Sequence, residues 1–392
     1  MTPPENTTTA IGRHRARLRF DRNEFSGAFG DIGTDLPLIV GMILATGLDA
    51  ASVLIMFGGM QILTGLTYGL PMPVQPLKAM AVLVITQKLS GNILYGGGLA
   101  IGITMFVLTV TGLIEWIAKT VPKSVVRGLQ FGLGIQLSSL ALREYIQADG
   151  LPGYGLAAGA FALTLFLLGN RRFPPAPFVI ALGVVYGLLF TVDSGIFRES
   201  FGIHLPRFSP PTLHDLMTGF LVLALPQIPL SLGNSILATR QVVEDLFPDR
   251  AISVRKISLT YSLMNLINPF LGGIPTCHGS GGMAGHYAFG ARTGGSVIMY
   301  GSLYLALGLF LSGGFREAIL LFPRPILGVI LMFEGIALMR LVHDMTNSPE
   351  DFTVVLLVGL MAVGLPYGYA VGLLVGTLVA YLAEKKLRGL RE

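Results

Sequence analysis

From Ile32 onward the chain alternates long apolar runs with brief polar clusters, and the alternation continues nearly to its last residues. Runs of roughly 17 to 25 apolar residues are long enough to cross the ~30 Å hydrocarbon core of a bilayer as helices. The pattern predicts fourteen segments, near 31–47, 51–70, 74–89, 94–117, 124–141, 155–170, 177–192, 216–238, 256–272, 279–290, 296–313, 326–342, 352–365 and 367–384. Two stretches break the helical pattern at membrane depth. One is "GLPMPVQPLKAMAV" (Gly69–Val82), with Pro71, Pro73 and Pro76; the other is "GGIPTCHGSGGMAG" from Gly272. Proline removes a backbone donor and disfavours helix just before it. Non-helical backbone at that depth is tolerated only where protein buries it or where it lines a wet cavity.

The two breaks also align with each other. "LPMPVQPLKAMA" from Leu70 matches "IPTCHGSGGMAG" from Ile274, an offset of 204, and "VPKSVVRGLQFGLGIQL" from Val121 matches "FPRPILGVILMFEGIAL" from Phe322, an offset of 201. The expectation is two homologous halves, 24–200 and 211–392, of seven segments each. An odd number per half inserts them with opposite orientation, as an inverted repeat. Interrupted segments at matching positions of two such halves point to a substrate site. Each break launches a short helix, near Lys78 and near Gly282. Facing helix N-termini present unpaired N–H groups and the positive end of the helix dipole, a setting that favours an anion.

Composition agrees with a polytopic membrane protein. Hydrophobic residues make up 52% of the 392 and charged residues only 12%, with 51 glycines. Soluble domains carry roughly twice that charge. Residues 1–23 form a basic arm (Arg13, Arg15, Arg17, Arg19, Arg22) without the apolar core of a signal peptide. An even segment count places both termini on one side, and the basic arm, the short basic loops and the tail "EKKLRGLRE" make that side cytoplasmic. The loop 193–215, with Arg198 and Arg207, falls outside. The net charge of +5 sits in loops and reports topology, not nucleic-acid binding. A single cysteine, Cys277, excludes an intrachain disulfide framework or a Cys-based metal cage. No nucleotide-binding loop, nucleophile–base pair or metal-ligand cluster is recognisable, so neither an enzyme nor a cofactor is expected.

The chemistry gathers at the breaks. An intramembrane lysine is costly and functional by default, which singles out Lys78, with Gln75 beside it. A structural alternative pairs Lys78 with Asp31 or Asp35. Thr34, Gln227, Ser231 and Asn234 supply neutral polar groups for a ligand or for interhelical hydrogen bonds. Ser280, Gly281 and Gly282 offer backbone N–H groups. Asp31, Asp35 and Glu334 are membrane-depth carboxylates suited to ion coupling, although Asp31 also suits the N-cap of the first helix and Glu334 an interface position. Cys277, His278 and His286 do not make a recognised ligand spacing. Arg292 suits a carbonyl cap or a headgroup anchor.

"PMPVQPLKAMA" and "PTCHGSGGMAGHYAFGARTGG" resemble the two signature motifs of the molybdate transporter family, a branch related to the sulfate permeases. "GDIGTDLP" (Gly30–Pro37) and "LPQIPLSLGNS" (Leu225–Ser235) resemble its first and eighth spans. The resemblance implies the seven-plus-seven inverted repeat of the uracil and sulfate permeases. It implies a core domain from spans 1–4 and 8–11, a gate domain from spans 5–7 and 12–14, and no STAS domain. Leu77, Asp35 and His286 depart from the residues more usual in the family. The tenth span also lacks the arginine of the sulfate-permease Ser-Arg-Ser pattern, which falls here on Gly281, Gly282 and Met283. At the offset of 204 Gly282 is the mate of Lys78, and its missing side chain suggests room for a larger oxyanion. The implied function is alternating-access import of molybdate across the plasma membrane, with the bilayer and a second copy of the chain as partners. Sulfate, tungstate or selenate carriage, or an anion channel on the same fold, are the alternatives.

Overall fold

The prolines of the first break do what their chemistry requires. Helix α3 (Ala50–Tyr68) stops at Gly69 in the left-handed conformation, the chain runs extended through β1 (Val74–Pro76), and only then does α4 (Lys78–Gln87) begin. The second break repeats this, with β2 (Thr276–His278) followed by α12 (Ser280–Ala288). The computed structural model describes residues 18–168, 173, 175–190, 202–310 and 322–389. Arg13, Arg15 and Arg17 of the basic arm, Arg171 and Arg172, Arg198 with the first part of its loop, and the end of the basic tail lie outside the described residues.

The remaining elements, in chain order, are α1 (Arg22–Ala28), α2 (Ile32–Thr46), α5 (Gly91–Val110), α6 (Leu113–Thr120), α7 (Lys123–Leu140), α8 (Gly150–Leu167), α9 (Pro175–Phe190), α10 (Leu213–Leu246), α11 (Val254–Ile267), α13 (Gly295–Phe310), α14 (Arg324–Arg340), α15 (Pro349–Gly364) and α16 (Gly368–Gly389). Among the described residues six helices are long and apolar enough to cross a membrane. A seventh is added if α1 and α2, bent by 41°, count as one span. Helix α10 is wound as π-helix over Phe220–Ala224 and Ser231–Leu237. Such bulges absorb extra residues in a helix and gather at functional sites.

The strands pair antiparallel, with Gln75 opposite Cys277 and with Val74 and Pro76 opposite His278 and Thr276. Side chains complete their hydrogen bonding. The Gln61 amide on α3 donates to the Val74 carbonyl (2.8 Å) and accepts from its N–H (3.0 Å). On α11 the Asn265 amide does the same for Thr276 (2.6 and 2.9 Å). Leaving these buried backbone groups unpaired would cost about 1–3 kcal/mol each. Both clamps are themselves buried.

The main packing pairs are α3 with α13, α5 with α10 and α11, and α7 with α14 and α15. Small residues permit the closest of these approaches. A Cβ on Gly301 would stand 2.6 Å from the carbonyl oxygen of Gly58, so α3 and α13 touch through their backbones. The connection between α12 and α13 is held by buried Glu24 of α1, whose carboxylate accepts the N–H groups of Arg292 and Thr293 (2.9 Å each) and Ser296 (3.1 Å).

Candidate functional site

Helix α4 has ten residues and α12 nine, each starting where the strand pair ends. At 1.5 Å per residue these are half-length helices, reaching about 15 Å. Lys78 is the first residue of α4 and the only buried lysine or arginine among the described residues. Its ammonium pairs with the carboxylate of Glu334 on α14. This corrects the expected pairing with Asp31 or Asp35.

Gln227 meets the N-terminus of α4. Its side-chain oxygen accepts the N–H groups of Ala79 (3.0 Å) and Met80 (3.2 Å), two of the donors that a helix start leaves free. Its Nε2 donates to the Ser231 hydroxyl (3.3 Å), which also bonds the Tyr261 hydroxyl (2.8 Å). Asn234 accepts from Gln130 of α7 (2.9 Å), and Arg127 donates to that Gln130 at 2.9 Å. Lys78, Gln227, Asn234, Ser235, Cys277 and Leu133 line one small cavity of about 10 Å³, room for no more than a water molecule.

Asp31 lies at the N-cap position of α2, but its side chain makes no cap bond, contrary to that expectation. It turns inward, and Gln75 Nε2 donates to its Oδ1 at 2.6 Å. A Cβ on Gly282 would run into this same Asp31 carboxylate. The space expected beside Gly282 is therefore filled, and open space lies beside Gly281 instead. The pairing of Gly282 with Lys78 also shifts. Element starts run at an offset of 202, from Val74 to Thr276 and from Lys78 to Ser280, so Ser280 is the residue that opens α12 as Lys78 opens α4.

Thr34 does not line the small cavity beside Lys78. It lines a second cavity of about 230 Å³ with Gly30, Phe289, Phe333 and Glu334. Asp35, one turn beyond Asp31, is fully buried and accepts from the Tyr300 hydroxyl (3.2 Å). His278 is held by Thr260 (2.7 Å) and the Pro73 carbonyl (3.3 Å). Arg292 donates to the carbonyls of Tyr287 and Ala291 and lies 3.6 Å over the Tyr287 ring. No group of three or more His, Cys, Asp or Glu able to hold a metal occurs among the described residues.

Sequence reasoning missed Gln130, Ser235, Tyr261 and Leu133. Ser235 follows Ser231 by four residues on one face of α10, a signal that was available. Gln130 and Tyr261 had none, since single polar residues in apolar runs are common.

A profile described as "Molybdate transporter of MFS superfamily" matches residues 23–137 and 219–338. The chain belongs to the molybdate transporter family. It is 33% identical to molybdate transporter 2 of Arabidopsis thaliana, over 90% of this chain and 88% of the relative. It is 31% identical to molybdate transporter 1 of the same plant, over 91% and 87%. Among solved structures, the transmembrane domain of a cyanobacterium bicarbonate transporter, BicA, superposes with a TM-score of 0.67 at 17% identity, covering 93% of this chain and 98% of that one. The protein is thus a multi-pass helical membrane protein with the fold of that transmembrane domain.

Proposed function

We propose that the protein is a secondary carrier that imports molybdate by alternating access, binding the oxyanion between the N-termini of α4 and α12. The observation that carries this reading is Lys78, a buried cation at the start of a half-length helix, in a chain of the molybdate transporter family. Around it, Gln75, Gln227, Ser231 and Asn234 supply side-chain donors, Ser280, Gly281 and Gly282 supply backbone N–H groups, and Thr34 lines the approach.

The proposed architecture is fourteen spans in a seven-plus-seven inverted repeat, halves 24–200 and 211–392, with both termini cytoplasmic in the plasma membrane. Spans 1–4 and 8–11 form the core and 5–7 and 12–14 the gate. Two regularities support the repeat. The clamps recur at an offset of 204: Gln61 and Asn265 hold β1 and β2, and the Thr64 hydroxyl and the Asn268 amide donate to the carbonyls of Met72 (3.0 Å) and Ile274 (3.1 Å). The contacts of span 2 with span 11 (α3 with α13) and of span 4 with span 9 (α5 with α11) exchange with each other when the halves are exchanged.

Calorimetry on the purified protein with molybdate, tungstate, sulfate and phosphate tests the reading, together with uptake by proteoliposomes. Saturable molybdate uptake is expected; an ohmic anion current in its place would make the protein a channel, and absence of oxyanion binding would sink the site. Gln75→Ala and Thr34→Ala should each weaken molybdate binding about ten- to hundred-fold, since a hydrogen bond to a charged ligand is worth ~1.5–3 kcal/mol. Wild-type affinity in both variants would move the site elsewhere.

Asp31 and Asp35 are proposed to carry the coupling ion. Each keeps one carboxylate oxygen without a hydrogen-bond partner. The titratable and charged groups around them are Lys78, Glu334, Cys277, His286, Tyr300 and Tyr304. Asp31→Asn or Asp35→Asn should change the pH profile of uptake, and an unchanged profile in both leaves these carboxylates structural.

A further inference from the structure

We infer that Glu334 is a tethered stand-in for the oxyanion: it occupies Lys78 when substrate does not, and thereby lets the carrier return across its transport cycle unloaded. The inference rests on the proposed carrier function and concerns the mode of transport, net import as against obligatory exchange.

Three observations carry it. First, the partner of Lys78 comes from α14, 256 residues away, and from the proposed gate instead of the core. Helix α14 also packs on α2 and α7, so the ion pair bridges the two groups of helices that must move past each other. Second, the pair stands between two cavities. Lys78 lines the one of about 10 Å³, which has no room for a tetrahedral oxyanion, while Glu334 lines the one of about 230 Å³. An oxyanion entering from the larger cavity reaches Lys78 only as the Glu334 carboxylate swings away. Third, position 133, which aligns with Glu334 at the offset of 201, is a leucine that lines the small cavity. The second half has thus placed a carboxylate where the first half has an apolar side chain.

The physics of the exchange is simple. A buried ammonium left without a counter-charge is expensive, so an unloaded site holding Lys78 alone would stall at the step in which it is sealed from water. Glu334 supplies the counter-charge and gives it up to the substrate. The same competition lowers apparent affinity by the fraction of time that Lys78 is free, about ten-fold if the pair is formed nine-tenths of the time.

The experiment uses the purified full chain. Calorimetry measures molybdate affinity. Proteoliposomes measure radiolabelled molybdate entering vesicles without internal molybdate (net uptake) and vesicles preloaded with it (exchange). For Glu334→Gln the expected result is binding roughly ten-fold tighter, net uptake lower by a similar factor, and exchange that continues. Glu334→Asp keeps the charge on a shorter stem and should restore part of the net uptake. If Glu334→Gln fails to fold, Glu334→Asp carries the test, with tighter binding and a reduced ratio of net uptake to exchange expected. Unchanged or weaker binding, or net uptake and exchange falling together in a variant that elutes and melts like wild type, overturns the inference alone. Wild-type vesicles that take up no molybdate overturn the carrier reading along with it.

Discussion

Lys78→Met is expected to lower molybdate affinity more than the loss of any other native side chain in the site. Lys78 is buried at the start of α4, where methionine nearly matches its volume but brings neither charge nor donor. Truncating one partner of a buried, hydrogen-bonded charge pair between protein and ligand costs about 2–5 kcal/mol of binding, so affinity should fall by roughly thirty-fold or more. Sulfate and tungstate should lose similar factors, because all are dianions and the lost interaction is mainly charge. The substitution also strands Glu334, whose carboxylate loses its ion-pair partner, so the single variant should melt at lower temperature. The double variant Lys78→Met/Glu334→Gln removes both charges and should recover stability without recovering binding. Titration calorimetry and thermal unfolding in the same detergent check the pair of outcomes. Molybdate binding by Lys78→Met within a few-fold of wild type would show that the lysine serves only the fold.

The fold was legible in the sequence where local chemistry leaves no choice. Three prolines within six residues, at 71, 73 and 76, strongly disfavour a helix, and the run Gly279–Gly282 weakens one, so both breaks and the short helices after them could be read directly. Apolar runs likewise marked the long helices. What could not be read depended on distance in space. The partner of Lys78 lies 256 residues away on a helix whose apolar run offers no reason to prefer Glu334 over Asp31. Asp31 has the right residue type and position for a cap, yet the Gln75 amide competes for it and wins. Gly282 suggested space, but which atoms fill a missing side chain's place is decided by another helix, here by Asp31. The clamps on α3 and α11 are 204 residues apart whereas the strands and half-helices start 202 apart, a difference in the length of the preceding turns that alignment of the motifs alone does not reveal. Glu24 shows the same limit. Nothing local marks a glutamate in a seven-residue helix as the acceptor for three N–H groups near position 293.

Gln227 was recognised from sequence only as a neutral polar group, and its geometry supports a sharper expectation. Its oxygen already accepts the N–H groups of Ala79 and Met80, and it shares the small cavity with Lys78. Gln227→Glu is nearly isosteric and keeps an acceptor facing both N–H groups. It sacrifices one donor, the Nε2 that reaches Ser231 at 3.3 Å, while Ser231 retains Tyr261. A carboxylate at a helix N-terminus is favoured by the helix dipole, which offsets part of the cost of burying a charge beside the Lys78–Glu334 pair, so the variant should fold and melt at or somewhat below wild type. Binding should respond far more strongly than stability. A fixed negative charge about 4 Å from a bound anion costs roughly 4 kcal/mol per unit of ligand charge at an effective dielectric constant of 20. For a dianion that is enough to lower affinity by more than about a thousand-fold. Gln227→Ala separates charge from shape: it frees the two N–H groups and removes only the neutral Nε2 donor, so its loss should be far smaller. Thermal unfolding and calorimetry on the two variants give a direct test, since a folding defect would lower both readouts and a misplaced site would lower neither. Wild-type molybdate affinity in Gln227→Glu would mean that the oxyanion does not bind at the start of α4.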